Sequence, residues 1–300
     1  MKQPNFFIIG APKCGTTALS EYLKTHPNIY VSSPKEPHYF AEKEFNLPQI
    51  KTWEEYLKLF EDANEKHLAV GEASVHYLYS SIALERIYDY NSKAKIIAMV
   101  RNPVDLVYSY HSQLVYNCDE DEADFERAWN LQESRQKGLN LPTLAQNPLV
   151  FQYYSIGQLG SQVVKLLNIF PTEQVKLIFF DDFKSSTAKI YQEVLEFLEV
   201  PDDGRVDFPR VNANRKHKIA LLGMITEKTP QSLVKTAAIA KKMLGVESLG
   251  IANKIRQANR EEFKREPLSP DFRAKLVEEF SSEIDLLGQI CHQDLSHWKR

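Results

Sequence analysis

The sequence predicts an α/β fold of three layers, in which helices flank a central, mostly parallel β-sheet. Two observations support this prediction. Short apolar runs that end in polar residues alternate along the chain with stretches of helical periodicity, which is typical of parallel strands joined by helices. The chain has 300 residues, of which 43% are hydrophobic and 26% are charged, as in a folded globular protein rather than a disordered or fibrous one.

Four apolar runs are predicted to form strands of this sheet. Asn5–Gly10 is apolar on both faces, which indicates a buried central strand, and the others are His67–Glu72, Lys95–Val100 and Val175–Phe180. Helical patterns lie at Thr17–Thr25, Trp53–Phe60, Ile82–Tyr90, Val104–Tyr116, Gly160–Ile169, Thr187–Leu198 and Asp271–Gly288. Ligands of such sheets bind beyond the carboxyl ends of the strands, so functional residues are expected in Gly10–Thr17, Glu72–His76 and Arg101–Ser109.

We expect a single domain over residues 1–300, with a core of about residues 1–210 and a basic, helical C-terminal part over about residues 211–300. The basic character comes from Arg215–Arg265, where twelve Lys and Arg stand against four Glu. Ser112–Gln136 is acidic instead, with seven acids and two Arg. The net charge of the whole chain is only −3, so it indicates no nucleic-acid partner.

The three cysteines, Cys14, Cys118 and Cys291, are far apart and odd in number, so their spacing supports neither a disulfide framework nor a zinc site. This use of cysteine favours a reducing, cytoplasmic location. The apolar run Phe6–Ile9 is shorter than the roughly 7–15 residues of a secretory signal or the about 20 of a spanning helix. We therefore predict a cytoplasmic protein without integral membrane association, and the sequence leaves its oligomeric state open.

Gly10–Thr17, with the sequence Gly-Ala-Pro-Lys-Cys-Gly-Thr-Thr, joins the first strand to the first helix. Backbone amides in such a loop, with a helix N-terminus behind them, form a cradle for an anion. Thr16 and Thr17 add hydroxyl donors, and Lys13 adds a positive charge. The spacing nearly fits the nucleoside-triphosphate loop Gly-x4-Gly-Lys-Ser/Thr, but Thr16 stands where that lysine belongs. A glycine turn without a ligand is the plainer alternative, and the order of strand, lysine, glycine, two threonines and helix disfavours it.

This loop resembles the 5′-phosphosulfate loop of sulfotransferases that use 3′-phosphoadenosine 5′-phosphosulfate (PAPS), and it is closer to the heparan sulfate N- and O-sulfotransferase branch than to the cytosolic aryl branch. The resemblance continues in Lys35–Phe40, Gly71–Ser74, Arg101–Ser109, Phe170–Pro171, Phe179–Phe183, Val194–Pro201 and Asp294–Trp298. It implies a P-loop-containing nucleotide hydrolase-like sulfotransferase fold. It further implies transfer of a sulfuryl group to a hydroxyl or amine, with 3′-phosphoadenosine 5′-phosphate (PAP) as the second product. Lys13, Cys14, Gly15, Thr16 and Thr17 would then bind the PAPS.

A second phosphate site is expected where Arg101 follows an apolar strand and Ser109 lies two helical turns further on. In the family the matching residues bind the 3′-phosphate, and a dianion suits a guanidinium fork combined with a hydroxyl donor. Without the first loop, pairing of Arg101 with Asp105 four residues later would be the simpler interpretation. The family also directs a late basic loop to this phosphate, and Arg215 and Lys216 stand in the expected place, where a solvated basic turn is the alternative.

Sulfuryl transfer needs a base at the acceptor and a cation at the leaving phosphate. Lys13 suits the second role. The resemblance implies that Glu72 is the base, since heparan-type enzymes carry a catalytic glutamate in a similar Glu-x4-Tyr context, here ending at Tyr77. His76 is a rival base, because histidine serves in the aryl branch, and it is otherwise a second acceptor ligand or a packed surface imidazole. Lys35 is expected to contact the sulfate or the acceptor.

Two other functions stay open at this point: a P-loop kinase with a displaced lysine, and a non-catalytic module that binds polyanions. The missing Gly-Lys-Ser/Thr and the Arg101–Ser109 block disfavour the kinase, while Lys13 and Glu72 together disfavour the module. No cluster of His, Cys and acids has metal-ligand spacing, and Asp181-Asp182 is interpreted as structural. We therefore expect PAPS as cosubstrate, no metal, and a small-molecule, lipid or glycan acceptor.

Overall fold

The computed structural model describes residues 2–45, 50–143, 145, 147–211 and 265–300, and the backbone of residues 215–217 and 260–262. Most of the basic segment Arg215–Arg265 lies outside the described residues, so the helices predicted there stay a prediction. The side chains of Arg215 and Lys216, the predicted basic-loop ligands, also lie outside the described part.

Five parallel strands form the central sheet: β1 (Phe6–Gly10), β2 (Ile29–Val31), β3 (Ala69–Ala73), β4 (Lys95–Val100) and β5 (Val175–Phe179). Their order across the sheet is β2-β3-β1-β4-β5, and each neighbouring pair is parallel. β1 lies at the centre and is buried along its whole length, as its two apolar faces predict. The carboxyl ends of the strands therefore meet at one edge of the sheet. The predicted α/β architecture is confirmed.

Helices pack against this sheet and bury apolar residues at helical spacing, as Ile190, Val194 and Leu198 do in one of them. The α-helices are α1 (Thr16–Lys24), α2 (Glu42–Phe45), α3 (Trp53–Lys58), α4 (Ala83–Tyr90), α5 (Pro103–Tyr116), α6 (Phe125–Asn130), α7 (Gln132–Gln136), α8 (Tyr153–Gly157), α9 (Leu159–Ile169), α10 (Phe180–Ser185), α11 (Thr187–Leu198) and α12 (Pro270–Cys291). Short 3₁₀ turns occur at Tyr39–Ala41, Pro148–Phe151, Thr172–Gln174 and Ser296–Lys299.

The residues group into two compact units, and the larger one comprises residues 1–109, 146–212 and 269–300. It contains the five-stranded sheet. Within it, α12 packs on α9, where the Glu283 carboxylate accepts hydrogen bonds from the Ser161 amide at 2.8 Å and the Ser161 hydroxyl at 2.7 Å. The buried Glu283 thereby satisfies an N–H group in the first turn of α9. The prediction of one domain over the whole chain stays a prediction.

The smaller unit comprises residues 110–145 and 213–268. Its described part holds α6 and α7, which are fixed by a buried, bidentate ion pair between Arg135 and Glu120 with N–O distances of 2.6 and 2.8 Å. The backbone of β6 (Arg215–His217) pairs antiparallel with that of β7 (Arg260–Glu262).

Two local predictions differ from the structure. Phe180 begins α10 rather than ending a strand, and the backbone at 215–217 and 260–262 is extended although its pattern is helical. Ile29–Val31, which is not among the predicted strands, pairs with β3. At 29–31, 215–217 and 260–262, pairing with distant residues outweighs the local preference of the sequence. In the described part of the chain, no helix is both long enough and apolar enough to cross a membrane.

Candidate active site

The loop after β1 turns sharply between sheet and helix. Gly10 has a φ of 138°, which favours glycine. A Cβ at this position would lie 2.5 Å from the carbonyl oxygen of Val75, so glycine also lets the end of β1 pack against the chain that follows β3. Gly15, at the N-cap of α1, has a φ of 92°, and Lys13 has a φ of 62°. Residues with positive φ between residues with ordinary φ turn successive backbone N–H groups towards one side, which is the geometry of an anion-binding loop.

The start of α1 adds further donors to this loop. No side chain caps the helix, and the N–H groups of a first helical turn have no partner within the helix and attract anions. Thr16 is buried, whereas Lys13 and Thr17 are partly exposed. The loop therefore offers amides, hydroxyls and an ammonium group, which together suit a phosphate.

Cys14 contributes to the loop by packing. Its side chain is wholly buried, and its Sγ lies 3.4 Å from the carbonyl oxygen of Pro12. Burial raises the pKa of the thiol to about 12, against the opposing charges of Arg101 and Lys13. Since the thiolate is the reactive form of cysteine, this neutral thiol fills space rather than reacting.

Arg101, predicted to bind the second phosphate, lies against the first loop. Its Nη1 donates to the carbonyl oxygen of Lys13 at 3.4 Å, and its guanidinium carbon lies 4.8 Å from the centre of the Phe180 ring. The alternative pairing with Asp105 is also present, at 3.7 Å, but Asp105 lies closer to Arg273, at 3.2 Å. The structure thus places Arg101, the first residue of the second predicted phosphate motif, beside the first loop.

The remaining residues of the second motif and the start of α10 are packed into the fold. Ser109 is buried on α5, with 3% of its surface exposed. Phe180 and Phe183 of α10 lie so close to Gly15 that a Cβ there would approach their rings to 3.2 and 3.1 Å. Asp181 accepts a hydrogen bond from the indole N–H of Trp298 at 3.0 Å, which gives it a structural role. Among the described residues, no group of three or more His, Cys, Asp or Glu could hold a metal ion.

A second group of candidate residues lies in the turn after β2, at residues 35–40. Lys35 Nζ lies 2.5 Å from Glu36 Oε1, and His38 Nε2 lies 3.3 Å from Glu36 Oε2. Burial opposes ionisation of Glu36, but Lys35 and His38 outweigh it and hold its pKa well below the usual value. The Glu36 side chain is 35% exposed, so this carboxylate is both ionised and accessible.

Glu36 and His38 adopt unusual backbone conformations, with φ values of 64° and 52°. Such left-handed conformations cost a residue other than glycine about 1–3 kcal/mol and persist where the surrounding structure imposes them. His38 is buried, and its Nδ1 has no hydrogen-bond partner among the described residues. Strain and an unsatisfied buried nitrogen are both features that functional sites tend to collect.

Glu72, the predicted base, has no exposed surface. Its Oε1 accepts hydrogen bonds from the hydroxyls of Tyr56 and Tyr77, both at 2.9 Å, and its Oε2 accepts one from Ser74 at 2.6 Å. Burial raises the pKa of Glu72, although these three hydroxyls act in the opposite direction. The predicted base is therefore enclosed by protein donors.

His76, the rival base, is buried between two rings. Its ring centre lies 5.0 Å from that of Phe45 and 5.1 Å from that of His38. Burial, and next the charge of His38, lower the pKa of His76 to about 3. The imidazole is therefore neutral at physiological pH and is a weak base.

The first loop and the segment that carries Glu72 and His76 adjoin at the edge of the sheet. The Ser74 and Leu78 amides donate to the carbonyl oxygens of Ile8 and Ile9, at 2.9 and 2.8 Å, so the segment after β3 runs beside the start of the phosphate loop. Sequence reasoning missed Glu36 and His38, although both lie in the Lys35–Phe40 block that carries the resemblance. The sequence signal for both was the run Lys-Glu-Pro-His at residues 35–38, of which only Lys35 is among the predicted site residues.

Comparison with known proteins identifies the family of this fold. The sulfotransferase domain family matches residues 3–285. Carbohydrate sulfotransferase 15 of Mus musculus is 26% identical over 245 residues, which cover 66% of this chain and 44% of that protein. Bifunctional heparan sulfate N-deacetylase/N-sulfotransferase 3 of the same species is 31% identical over 206 residues, which cover 66% of this chain and 22% of that protein. The chain thus spans less than half the length of these relatives.

Solved structures give the same assignment. The crystal structure of a sulfotransferase from Alicyclobacillus acidocaldarius matches with a TM-score of 0.74 and 28% sequence identity, and the match covers 100% of both chains. This likeness includes the parallel sheet and the helices that flank it. Because the family match extends over most of the chain, the protein belongs to the sulfotransferase family.

Proposed function

We propose that this protein transfers the sulfuryl group of PAPS to a hydroxyl or amine of a carbohydrate acceptor and releases PAP. One observation carries the proposal: the Arg101 guanidinium donates a hydrogen bond to the Lys13 carbonyl oxygen at 3.4 Å. A donor with both a 5′-phosphosulfate and a 3′-phosphate needs two anion sites close together, and the loop with Arg101 and Ser109 supplies them. The carbohydrate acceptor is suggested by the names of the relatives.

The proposed step is an in-line displacement at sulfur. The acceptor oxygen or nitrogen bonds to sulfur while the bond from sulfur to the 5′-phosphate oxygen breaks, and the acceptor proton passes to a base. Negative charge grows on the leaving phosphate. Lys13 and the amides at the start of α1 stabilise that charge, because donors that are already oriented need no rearrangement during the reaction.

We propose Glu36 as the base, in place of the Glu72 assignment implied by the family resemblance. A general base must reach the proton that it removes; Glu36 is 35% exposed, whereas Glu72 has no exposed surface and its two oxygens already accept three hydrogen bonds. Lys35 holds Glu36 ionised at rest. When Lys35 turns to the sulfuryl oxygens of a bound donor, its hold on the pKa of Glu36 weakens and Glu36 becomes a stronger base.

The kinase and polyanion-module alternatives are tested by ligand binding. Titration calorimetry should detect PAP binding without added metal, and ATP with Mg²⁺ should bind at least about tenfold more weakly, because ATP lacks the 3′-phosphate. Incubation with ³⁵S-labelled PAPS and desulfated heparan or chondroitin oligosaccharides should then give labelled product. Tighter binding of ATP with Mg²⁺ would favour the kinase, and PAP binding without turnover of PAPS would favour the module.

The assignment of the base is tested by matched carboxamide variants. Glu36→Gln should lower kcat by about 10²–10⁴-fold, as general-base removal usually does, and should leave the Kd for PAP within about twofold. Glu42→Gln, a partly exposed carboxylate on α2, is the control and should behave as the wild type. Full activity of Glu36→Gln would reject Glu36 as the base. The cytoplasmic location suggested by the cysteines stays a separate prediction.

A further inference from the structure

Glu72 lies at the centre of a hydrogen-bond network that reaches the turn carrying Glu36 and His38. Ser74 Oγ donates to Glu72 Oε2 at 2.6 Å and accepts from the His38 amide at 3.1 Å. Tyr77 Oη donates to Glu72 Oε1 at 2.9 Å and accepts from the Phe40 amide at 3.2 Å. Two hydroxyls therefore connect one buried carboxylate to the main chain of a single turn.

The direction of these hydrogen bonds follows from donor counting. A backbone amide can only donate, so the lone pairs of Ser74 and Tyr77 receive the His38 and Phe40 amides. Each hydroxyl has one proton, and that proton is left for Glu72. Both oxygens of Glu72 are therefore acceptors, which is the arrangement of a carboxylate and not of an amide.

The turn needs such support because its backbone is strained. Glu36 and His38 have positive φ values, and a residue other than glycine keeps this conformation only where other contacts impose it. The Glu36 amide is held by the Ala73 carbonyl oxygen at 2.9 Å. Glu72 acts on the other side of the turn, through the amides of His38 and Phe40.

We propose that Glu72 is a positioning residue: with Ser74 and Tyr77 it fixes the turn that aims Glu36 and His38 at the acceptor. This inference rests on the proposed role of Glu36, and it gives Glu72 a task that needs no contact with substrate. Tyr56 offers an internal comparison, because its hydroxyl also donates to Glu72, at 2.9 Å, yet no hydrogen bond of the described chain links that hydroxyl to the turn.

The first test compares four variants that each lose one hydroxyl. Ser74→Ala and Tyr77→Phe should each lower kcat by about tenfold or more while the Kd for PAP stays within about twofold, since the phosphate half is untouched. Tyr56→Phe should lower kcat by less than about threefold. Tyr90→Phe, whose hydroxyl bonds to the Pro4 carbonyl oxygen, should leave kcat unchanged. Equal losses in Ser74→Ala, Tyr77→Phe and Tyr56→Phe would overturn the inference.

The second test is a double-mutant cycle, which detects residues that act as one unit. In the Glu36→Gln background, Ser74→Ala should lower kcat by less than about threefold, because the group that it positions is already lost. A full tenfold further loss would show that Ser74 acts elsewhere and would overturn the inference. If Glu36→Gln is itself fully active, the base assignment fails, and the first test alone then decides whether the network positions the turn.

Glu72→Gln provides a third readout. The amide places an N–H group against hydroxyls that must donate, so the variant should lose stability as well as activity, with a Tm lower by about 2–6 °C. Glu42→Gln, at a partly exposed position of α2, should keep the wild-type Tm to within about 1 °C. A Glu72→Gln variant with an unchanged Tm and a large loss of kcat would instead identify Glu72 as the base.

Discussion

The two halves of the candidate site are built over different distances in the sequence: the proposed phosphate half (residues 13–17 with Arg101 and Ser109) and the proposed acceptor half (residues 35–40 with the segment 72–77). Lys13 and Gly15 lie in one loop and Thr16 and Thr17 begin α1 directly after it, while Arg101 joins them from just beyond the end of β4, the strand beside β1. The acceptor half joins the turn after β2 to the segment after β3, so that Ser74 bonds to an amide 36 residues earlier in the chain. The first half uses mainly backbone donors, and the second uses a network of side chains.

This difference shows which half tolerates substitution. Backbone amides at a helix N-terminus persist when a side chain changes, so in the phosphate half only the loss of a charged side chain, Lys13 or Arg101, should have a large effect. A buried network fails when one member leaves another unsatisfied, so the acceptor half should be more sensitive to small changes. Four predictions test this contrast, from the largest expected effect to the smallest.

Lys13→Ala should lower kcat by about 10²–10³-fold, the usual cost of removing one donor from a developing oxyanion. Steady-state kinetics at saturating PAPS measure the effect, with Lys24→Ala, an exposed residue at the end of α1, as the control. A loss confined to the KM for PAPS would mean that Lys13 binds the ground state and does not stabilise the leaving phosphate.

Arg101→Ala should weaken PAP binding by about 10- to 100-fold, as expected for the loss of charge-assisted hydrogen bonds. Affinity for adenosine 5′-phosphosulfate, which lacks the 3′-phosphate, should change much less. Arg273→Ala is the matched control, because Arg273 also pairs with Asp105, at 3.2 Å. Equal losses for the two nucleotides would remove Arg101 from the 3′-phosphate.

The pH dependence of kcat at saturating PAPS should be flat between about pH 5.5 and 8. Burial lowers the pKa of His76 to about 3, so His76 loses its neutral form only when the pH falls towards that value. His38, which also lowers the pKa of Glu36, stays beside it when Lys35 turns to the donor, so Glu36 stays ionised over the same range. A histidine base with its ordinary pKa would instead give an acid limb near about pH 6.5. Such a limb, absent from His76→Gln, would restore His76 as the base.

Cys14 should show the smallest effect. Since burial raises the pKa of its thiol to about 12, iodoacetamide at pH 8 should leave Cys14 unmodified in the folded protein and modify it after unfolding in guanidinium. Peptide mass spectrometry distinguishes it from Cys118 and Cys291. Cys14→Ala should change the Kd for PAP by less than about threefold. Rapid alkylation in the folded state would contradict a role in packing.

The sequence by itself determined the parallel sheet and the glycine-rich loop after β1, and it predicted that Arg101 lies at the same edge of the sheet as that loop. Each depends on a local signal: alternation of apolar runs, a glycine-rich turn before a helix, or a polar residue at the end of a strand. Because parallel strands end at one edge of a sheet, these local signals also placed the two phosphate motifs near each other.

Only the tertiary structure decided which carboxylate is accessible. Nothing in the local sequence around Glu36 or Glu72 shows that one is exposed and the other enclosed. Accessibility depends on Tyr56, Ser74 and Tyr77, whose hydroxyls meet at Glu72 from a helix and from the chain beyond a strand. These contacts join residues that are far apart in the sequence and form only when the chain packs. Packing therefore decides both the pKa of Glu36 and Glu72 and whether each carboxylate is accessible to a substrate.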